Sequence, residues 1–312
     1  MALLATSTTA RGQDRQVPGG DASAEQPSAA RIAKRIDHIL IRTSDPERLF
    51  ELFAAGFGLP IVWPLRSYGF FQSGGVCAGN VNLEILAMPG GGQEATTHLY
   101  GIAFEPAESV EASVRLLERA GWPHSPPTPF FGTRPDGTAG VIWRTVPLPE
   151  LQPPSSMVFL CEYAWNTTPR RQALSRQLAS EHGGCLGWVQ VESVSVGYRD
   201  LIQARKAWTA HLGAPAAQGA DTWHLVDGPA VRLSAAARDG LLSLAVDVRS
   251  LQATQACLKK HGIACERDAE MIVATGGMLG DLRLQFREAA ATDLAPGTRP
   301  ARDDSESSPG GR

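Results

Sequence analysis

Three side chains of this sequence have the setting of reactive groups. His38 lies in Ile36-Asp37-His38-Ile39-Leu40-Ile41, Glu84 in Val81-Asn82-Leu83-Glu84-Ile85-Leu86, and Glu162 near the end of Met157-Val158-Phe159-Leu160-Cys161-Glu162-Tyr163. Each run is apolar and rich in β-branched or aromatic residues, which suits strands, and successive strand side chains point to opposite faces. Alternation places Val81, Leu83 and Ile85 on one face and Asn80, Asn82 and Glu84 on the other, so Glu84 is expected on the concave side, away from packed helices. His38 is expected with Ile36 and Leu40, opposite Ile39 and Ile41. Glu162 shares a face with Val158 and Leu160. A carboxylate there needs a balancing charge, because charges are almost never buried unpaired, and an arginine such as Arg144 or Arg66 is one candidate. Cys161 turns to the face opposite Glu162, which argues against a nucleophilic thiol beside it. Neither a Ser-His-Asp order nor a nucleotide-binding fingerprint can be defended.

The elements that must position these residues recur along the chain. Arg35 to Arg48 reads as a strand and a helix start, and Gln190 to Val196 repeats the strand; His38 to Asp45 and Ser193 to Asp200 are both seven residues apart. A glycine closes each following helix in step: Gly58 lies 20 residues after His38, Gly213 20 after Ser193, Gly121 20 after Gly101 and Gly262 19 after Ser243. Such self-similarity marks a repeated supersecondary unit. Each unit reads as strand, amphipathic helix, then two or three strands, ending in 81–86, 157–163, 230–233 and 282–286.

This α+β arrangement, βαβββ modules in tandem pairs, resembles the vicinal oxygen chelate superfamily, which includes the glyoxalases, extradiol dioxygenases and bleomycin-resistance proteins. The resemblance rests on Ile36 to Ile41 followed by Ser44-Asp45-Pro46 and Phe57-Gly58-Leu59-Pro60, with Gly79 to Glu84 and Phe159 to Tyr163, and covers roughly residues 34 to 289. It implies two glyoxalase-like open barrels, each built from two modules whose first and last strands supply up to four metal ligands. Carried over residue by residue, the slots of the first barrel are His38, Gly101, Glu84 and Glu162. His38, Glu84 and Glu162 would then hold a divalent ion (Fe, Mn, Ni or Zn) with positions left for water or a bidentate oxygen ligand. His98 could substitute at the Gly101 slot only through a bulge.

The resemblance further implies Lewis-acid chemistry on a small substrate with adjacent oxygens, with Glu162 or Glu84 as general base. Lyase or isomerase chemistry is preferred to dioxygenase chemistry, because Gly101 stands where extradiol dioxygenases carry a second histidine. Tyr68, Phe70, Gln72, Asn82, Arg134 and Trp143 are the expected pocket lining. The slots of the second pair hold Ser193, Ser243, Gln285 and either Arg232 or Ser234, no credible metal set. That half is expected to be structural or to mimic a dimer partner. The rival reading is a metal-free drug-sequestering protein whose cleft is lined by Trp63, Tyr68, Phe70, Phe130 and Trp143; a catalytically idle member is a third.

Composition narrows the remaining classes. A length of 312 residues suits about two domains, read as 33–165 and 188–289 joined by a linker at 166–187, with low-complexity tails at 1–32 and 290–312. The long stretch Pro123 to Gly140 reads as a loop, with Phe130-Phe131 suggesting an active-site lid and solvated irregularity as the alternative. A net charge of -3 gives no footprint for nucleic acid. Five cysteines without a C-x-x-C pair indicate neither a disulfide framework nor a thiolate zinc site, and hence a reducing compartment. No apolar run approaches the roughly 18 residues of a membrane span. The expectation is a cytoplasmic enzyme, monomer or homodimer, taking a small-molecule substrate, with no nucleic-acid or membrane partner.

Overall fold

The computed structural model describes residues 31–88, 96–217 and 220–290, so both expected tails fall almost wholly outside the described residues. The first module opens with β1 (Ala33–Arg42) and α1 (Pro46–Glu51), which continues as a π-helical turn, Leu52–Gly56. The helix is capped by Asp45, whose carboxylate accepts from the Arg48 backbone N–H at 3.2 Å, satisfying one of the free donors of the first turn. Strands β2 (Ile61–Ser67), β3 (Gln72–Cys77) and β4 (Asn82–Ala87) complete the module.

The second module contains β5 (His98–Pro106), α2 (Val110–Ala120), β6 (Thr128–Thr133), β7 (Ala139–Pro147) and β8 (Met157–Tyr163). The stretch read as a long loop, Pro123 to Gly140, is largely the β6–β7 hairpin, paired from Thr128–Thr145 to Thr133–Ala139. Its prolines disguised a strand, since proline is tolerated at sheet edges and β6 is an edge. Helix α3 (Thr168–Ser180) then leads to β9 (Trp188–Tyr198), α4 (Leu201–Leu212), β10 (Thr222–Trp223) and β11 (Ala230–Ala235). The last module comprises β12 (Gly240–Val248), α5 (Leu251–Lys260), β13 (Cys265–Arg267), β14 (Ile272–Ala274) and β15 (Leu284–Glu288).

Two mixed sheets result. The eight-stranded sheet has the order β2-β3-β4-β1-β5-β8-β7-β6 and the seven-stranded one β10-β11-β9-β12-β15-β14-β13. In each, the first strands of two modules pair antiparallel at the centre, and each pairs parallel with the last strand of its own module. The first sheet is curled until its ends meet. Tyr68, between β2 and β3, lies 6.1 Å by ring centroid from Phe130 of β6 and 6.0 Å from Trp143 of β7, at the opposite end of the strand order.

Alternation divides the side chains of this sheet into two layers. Ile39, Ile41, Leu83, Ile85, Ile102, Phe104, Val158 and Leu160 join the main apolar core with the helices, and that core runs on into the second sheet through Trp188 and Trp208. Leu40, Leu86, Ala103, Phe159 and Cys161 form a separate cluster inside the curl, with Phe71, Trp143 and Tyr163 packed against it. Cys185 and Cys257 form a disulfide across 72 residues, contrary to the expectation from cysteine spacing. The pairing depends on the linker docking against α5, and sequence spacing carries no signal for it. Among the described residues, no helix is long and apolar enough to cross a membrane.

Candidate functional site

His38 sits at the centre of the first sheet because a bulge places it there. Ile36 pairs with Phe104 and His38 with Ala103, so Asp37 is left out of the β1–β5 ladder. The extra residue shifts the alternation: Ile36 joins the helix-side core, not the His38 face expected from strict alternation. Asp37 and His38 thereby approach each other although they are sequence neighbours. The Asp37 carboxylate lies 2.7 Å from His38 Nδ1, and the Glu84 carboxylate 3.1 Å from His38 Nε2.

These groups belong to a longer buried chain. Ser73 Oγ donates to the second Glu84 oxygen at 2.6 Å, and Trp63 Nε1–H donates to Ser73 Oγ at 3.0 Å. At the other end Arg171, reaching in from α3, donates to the Asp37 carboxylate and, at 3.3 Å, to the Asp37 carbonyl. Asp37 is 1% exposed and His38 5% exposed, so the two carboxylates must be matched by cations, and imidazolium and guanidinium supply them. Burial opposes a charged His38, but its hydrogen bonds to Asp37 and Glu84 and their negative charges prevail and raise its pKa to about 9. Burial also opposes ionisation of Asp37; the hydrogen bond from His38 and the charges of His38, Arg171 and Arg35 outweigh it and hold the carboxyl below its ordinary range.

Sheet register identifies the positions related to His38 and Glu84 in the second module. At the central pair, His38 faces Ala103 while Leu40 faces Gly101, so the pseudo-twofold exchanges His38 with Gly101. Alongside β1, Asn82 is in register with His38 and Glu84 with Leu40; alongside β5, Met157 is in register with Gly101 and Phe159 with Ala103. The counterpart of Glu84 is therefore Phe159. Its ring centroid stands 5.9 Å from that of His38, edge to face.

Glu162 is not brought to His38. It lies on the Val158–Leu160 face and pairs with Arg144, its neighbour on β7, which also reaches Glu111 on α2. The arginine partner weighed in the sequence is what balances its charge. Glu162, the residue expected in the fourth slot, lies three positions past Phe159 on β8. Gly101 offers no side chain, and a Cβ there would meet the Met157 carbonyl oxygen at 2.5 Å. The second sheet, by the same register, places Ser193, Ser243, Arg232 and Gln285 in these positions, where Arg232 is bound to Glu192 and Ser243 to Gln285.

The expected pocket lining is partly assembled. Trp143 stacks on Phe130 at 4.3 Å and Tyr68 on Phe71 at 5.1 Å, and the two stacks meet edge to face across the seam of the curl. Asn82 is buried, in register with His38. Phe70, Gln72 and Arg134 are elsewhere: Phe70 is 61% exposed, Gln72 donates to Glu47 on α1, and Arg134 donates to the Val141 carbonyl within its hairpin. Strand ends and hairpin tips set these three, and strand periodicity does not reach them. Asp37, Arg171, Ser73, Phe71 and Phe159 were not singled out in the sequence. Asp37 carried a readable signal, a second charge beside His38 in an apolar strand; Arg171 carried none, since its contact spans 134 residues.

The fit of a divalent ion follows from this donor set. His38 Nε2 and Glu84 can be supplied by the first module, but Gly101 and Phe159 supply no donor, leaving two protein ligands where structural and catalytic sites generally use three or four. The set implied by the resemblance is thus not assembled. Placing a carboxylate in the empty slot tests the register: Phe159→Glu should give a third donor and raise affinity for Mn(II) or Zn(II) at least tenfold by titration calorimetry. An unchanged affinity would mean that Phe159 does not face His38.

No family model matches the chain, and no curated protein matches it. Solved structures do. The chain is similar to a hypothetical protein from Staphylococcus aureus (TM-score 0.56, 11% identity, 82% of this chain and 99% of that one). It is also similar to the 2,3-dioxygenase LapB from Pseudomonas sp. KL28 (0.51, 13%, 83% and 93%) and to the Mn(II)-bound glyoxalase from Novosphingobium aromaticivorans (0.52, 13%, 83% and 83%). With two sheets each built on an antiparallel central pair of modules, and these likenesses spanning most of its length, the chain has the fold of the vicinal oxygen chelate superfamily.

Proposed function

We propose that the first barrel is an enzyme site that transfers a proton on a small substrate with adjacent oxygens, a lyase or isomerase reaction. The carrying observation is the convergence of two carboxylates, Asp37 and Glu84, on one buried imidazole. A cleft that only sequesters an apolar ligand has no use for that arrangement, which leaves two charges to be desolvated.

In the resting site the imidazolium Nε2–H donates to Glu84. A substrate carbonyl oxygen that replaces Glu84 as acceptor is polarised by a full positive charge in a dry setting, where such charge acts most strongly. The freed Glu84 carboxylate takes the proton from the adjacent carbon, and Ser73 keeps it in place by its hydrogen bond to the other oxygen. Asp37 holds the imidazole in orientation and charge, and Arg171 in turn holds Asp37. The aromatic stacks of Tyr68, Phe71, Phe130 and Trp143 exclude water and offer flat faces to the substrate.

A second reading is carried by one distance. His38 Nε2 and Glu84 are 3.1 Å apart, each backed by an outer hydrogen-bond partner, which suits neighbouring ligands on one divalent ion. Bound there, the ion would polarise the substrate oxygen in place of the imidazolium. Solvent-deuterium exchange at the carbon beside the carbonyl, followed by NMR over a panel of dicarbonyls and hydroxy-ketones, separates the readings. Exchange that survives chelator and is lost in Glu84→Gln supports the side-chain reading. Loss on chelation, with about one metal equivalent that disappears in His38→Ala, would replace it with the metal reading. No exchange on any substrate, with ligands still raising the melting temperature, would leave a binding protein.

A further inference from the structure

Outside the barrel, one cluster joins two chain segments. Cys185 lies in the turn after α3, Cys257 on α5, and His261 at the end of α5. One ligand atom from each lies within 4.8 Å of the other two. The turn is fixed to the first sheet's helix, since Cys185 N–H donates to the Phe57 carbonyl at 2.9 Å, and the His261 ring stands edge-on to Phe57 at 5.8 Å. His261 Nε2 is buried and has no hydrogen-bond partner. A buried polar atom without a partner carries a desolvation cost, and the two sulfurs near this imidazole are the atoms that a soft cation binds together with a ring nitrogen.

We propose that Cys185, Cys257 and His261 form a redox-gated site for a soft divalent cation of the zinc class. As a disulfide the site is closed. A dithiol reductant supplies two electrons and two protons, breaking the S–S bond to give two thiols while the reductant itself becomes a disulfide. Cation binding then releases both thiol protons and forms two S–metal bonds and one N–metal bond, with water completing a tetrahedron. In either state the linker turn is tied to α5, covalently or through the ion, and with it the end of the first module's helix to the second sheet. The site is independent of His38 and of the reaction assigned to the barrel.

The test uses Co(II), whose thiolate charge-transfer absorption reports sulfur ligation. The full chain, reduced with a phosphine and freed of reductant, should bind one Co(II) with that band, and the oxidised chain should not. His261→Ala keeps both thiols and should weaken Co(II) binding at least tenfold; Cys257→Ser should abolish the band, while Cys265→Ser should leave it intact. Circular dichroism on each reduced protein establishes that it is folded. A reduced, folded chain without the thiolate band, or a band that persists in Cys257→Ser, would overturn the proposal, as would full affinity in His261→Ala.

Discussion

Replacing Glu84 by glutamine is expected to cut turnover by about 10²–10⁴-fold, the range for removing a general base, with the fold retained. Glutamine keeps the shape and an oxygen to accept the Ser73 hydroxyl, and Asp37 still balances the buried imidazolium. The electrostatic consequence is separate from the chemical one. Having lost one of the two carboxylates that hold its proton, His38 should titrate below the value of about 9 that it has in the native chain. NMR of the imidazole protons reads this directly. An unchanged His38 titration would show that Glu84 does not face Nε2, whereas a lowered one with full turnover would show that another group is the base.

The second large effect is on stability and comes from the linker helix. Arg171→Ala removes the guanidinium from Asp37, which is 1% exposed, and should destabilise the fold by about 3–5 kcal/mol, the cost of leaving a buried charge without its partner. Arg171→Lys should recover part of the loss, since an ammonium keeps the charge but not the two-pronged contact with the Asp37 carboxylate and carbonyl. Denaturant melts of the three proteins check the order. Equal stability of Arg171→Ala and the native chain would mean that water reaches Asp37.

The same chain of charges dictates a pH dependence. The pKa of His38 is raised on folding, from 6.5 to about 9, so its contribution is complete below pH 6.5 and disappears as the pH rises through 9. The amount is on the order of 3 kcal/mol. Asp37 acts in the other sense: its carboxyl is held below its ordinary value, so its contribution is present above pH 3.8 and lost on acidification. Stability measured between pH 6 and pH 10 should fall in the native chain and stay nearly flat in His38→Gln. A native profile flat over this interval would mean that folding leaves the His38 pKa near 6.5, and the imidazolium would then be mostly unavailable to the substrate oxygen above that pH.

Local patterns determined much of this. Apolar alternation and the spacing from His38 and Ser193 to Asp45 and Asp200, and to the closing glycines, were enough to read repeated βαβββ units, because a strand or a helix is specified by its own residues. The same alternation put Glu84 on the concave face with His38, as its 3.1 Å approach to the imidazole requires. Tertiary structure decided the rest. The bulge at Asp37 depends on the register against β5 and brings a carboxylate beside His38 that alternation would have sent to the other face. Register against β5 also makes Phe159, not Glu162, the counterpart of Glu84, and pairing with β7 gives Glu162 to Arg144. Arg171 and the Cys185–Cys257 pair come from segments whose sequence records no trace of where they dock. A sequence carries the period of each element, but ion pairs and disulfides depend on which elements meet, and that is settled only when apolar faces pack into one core.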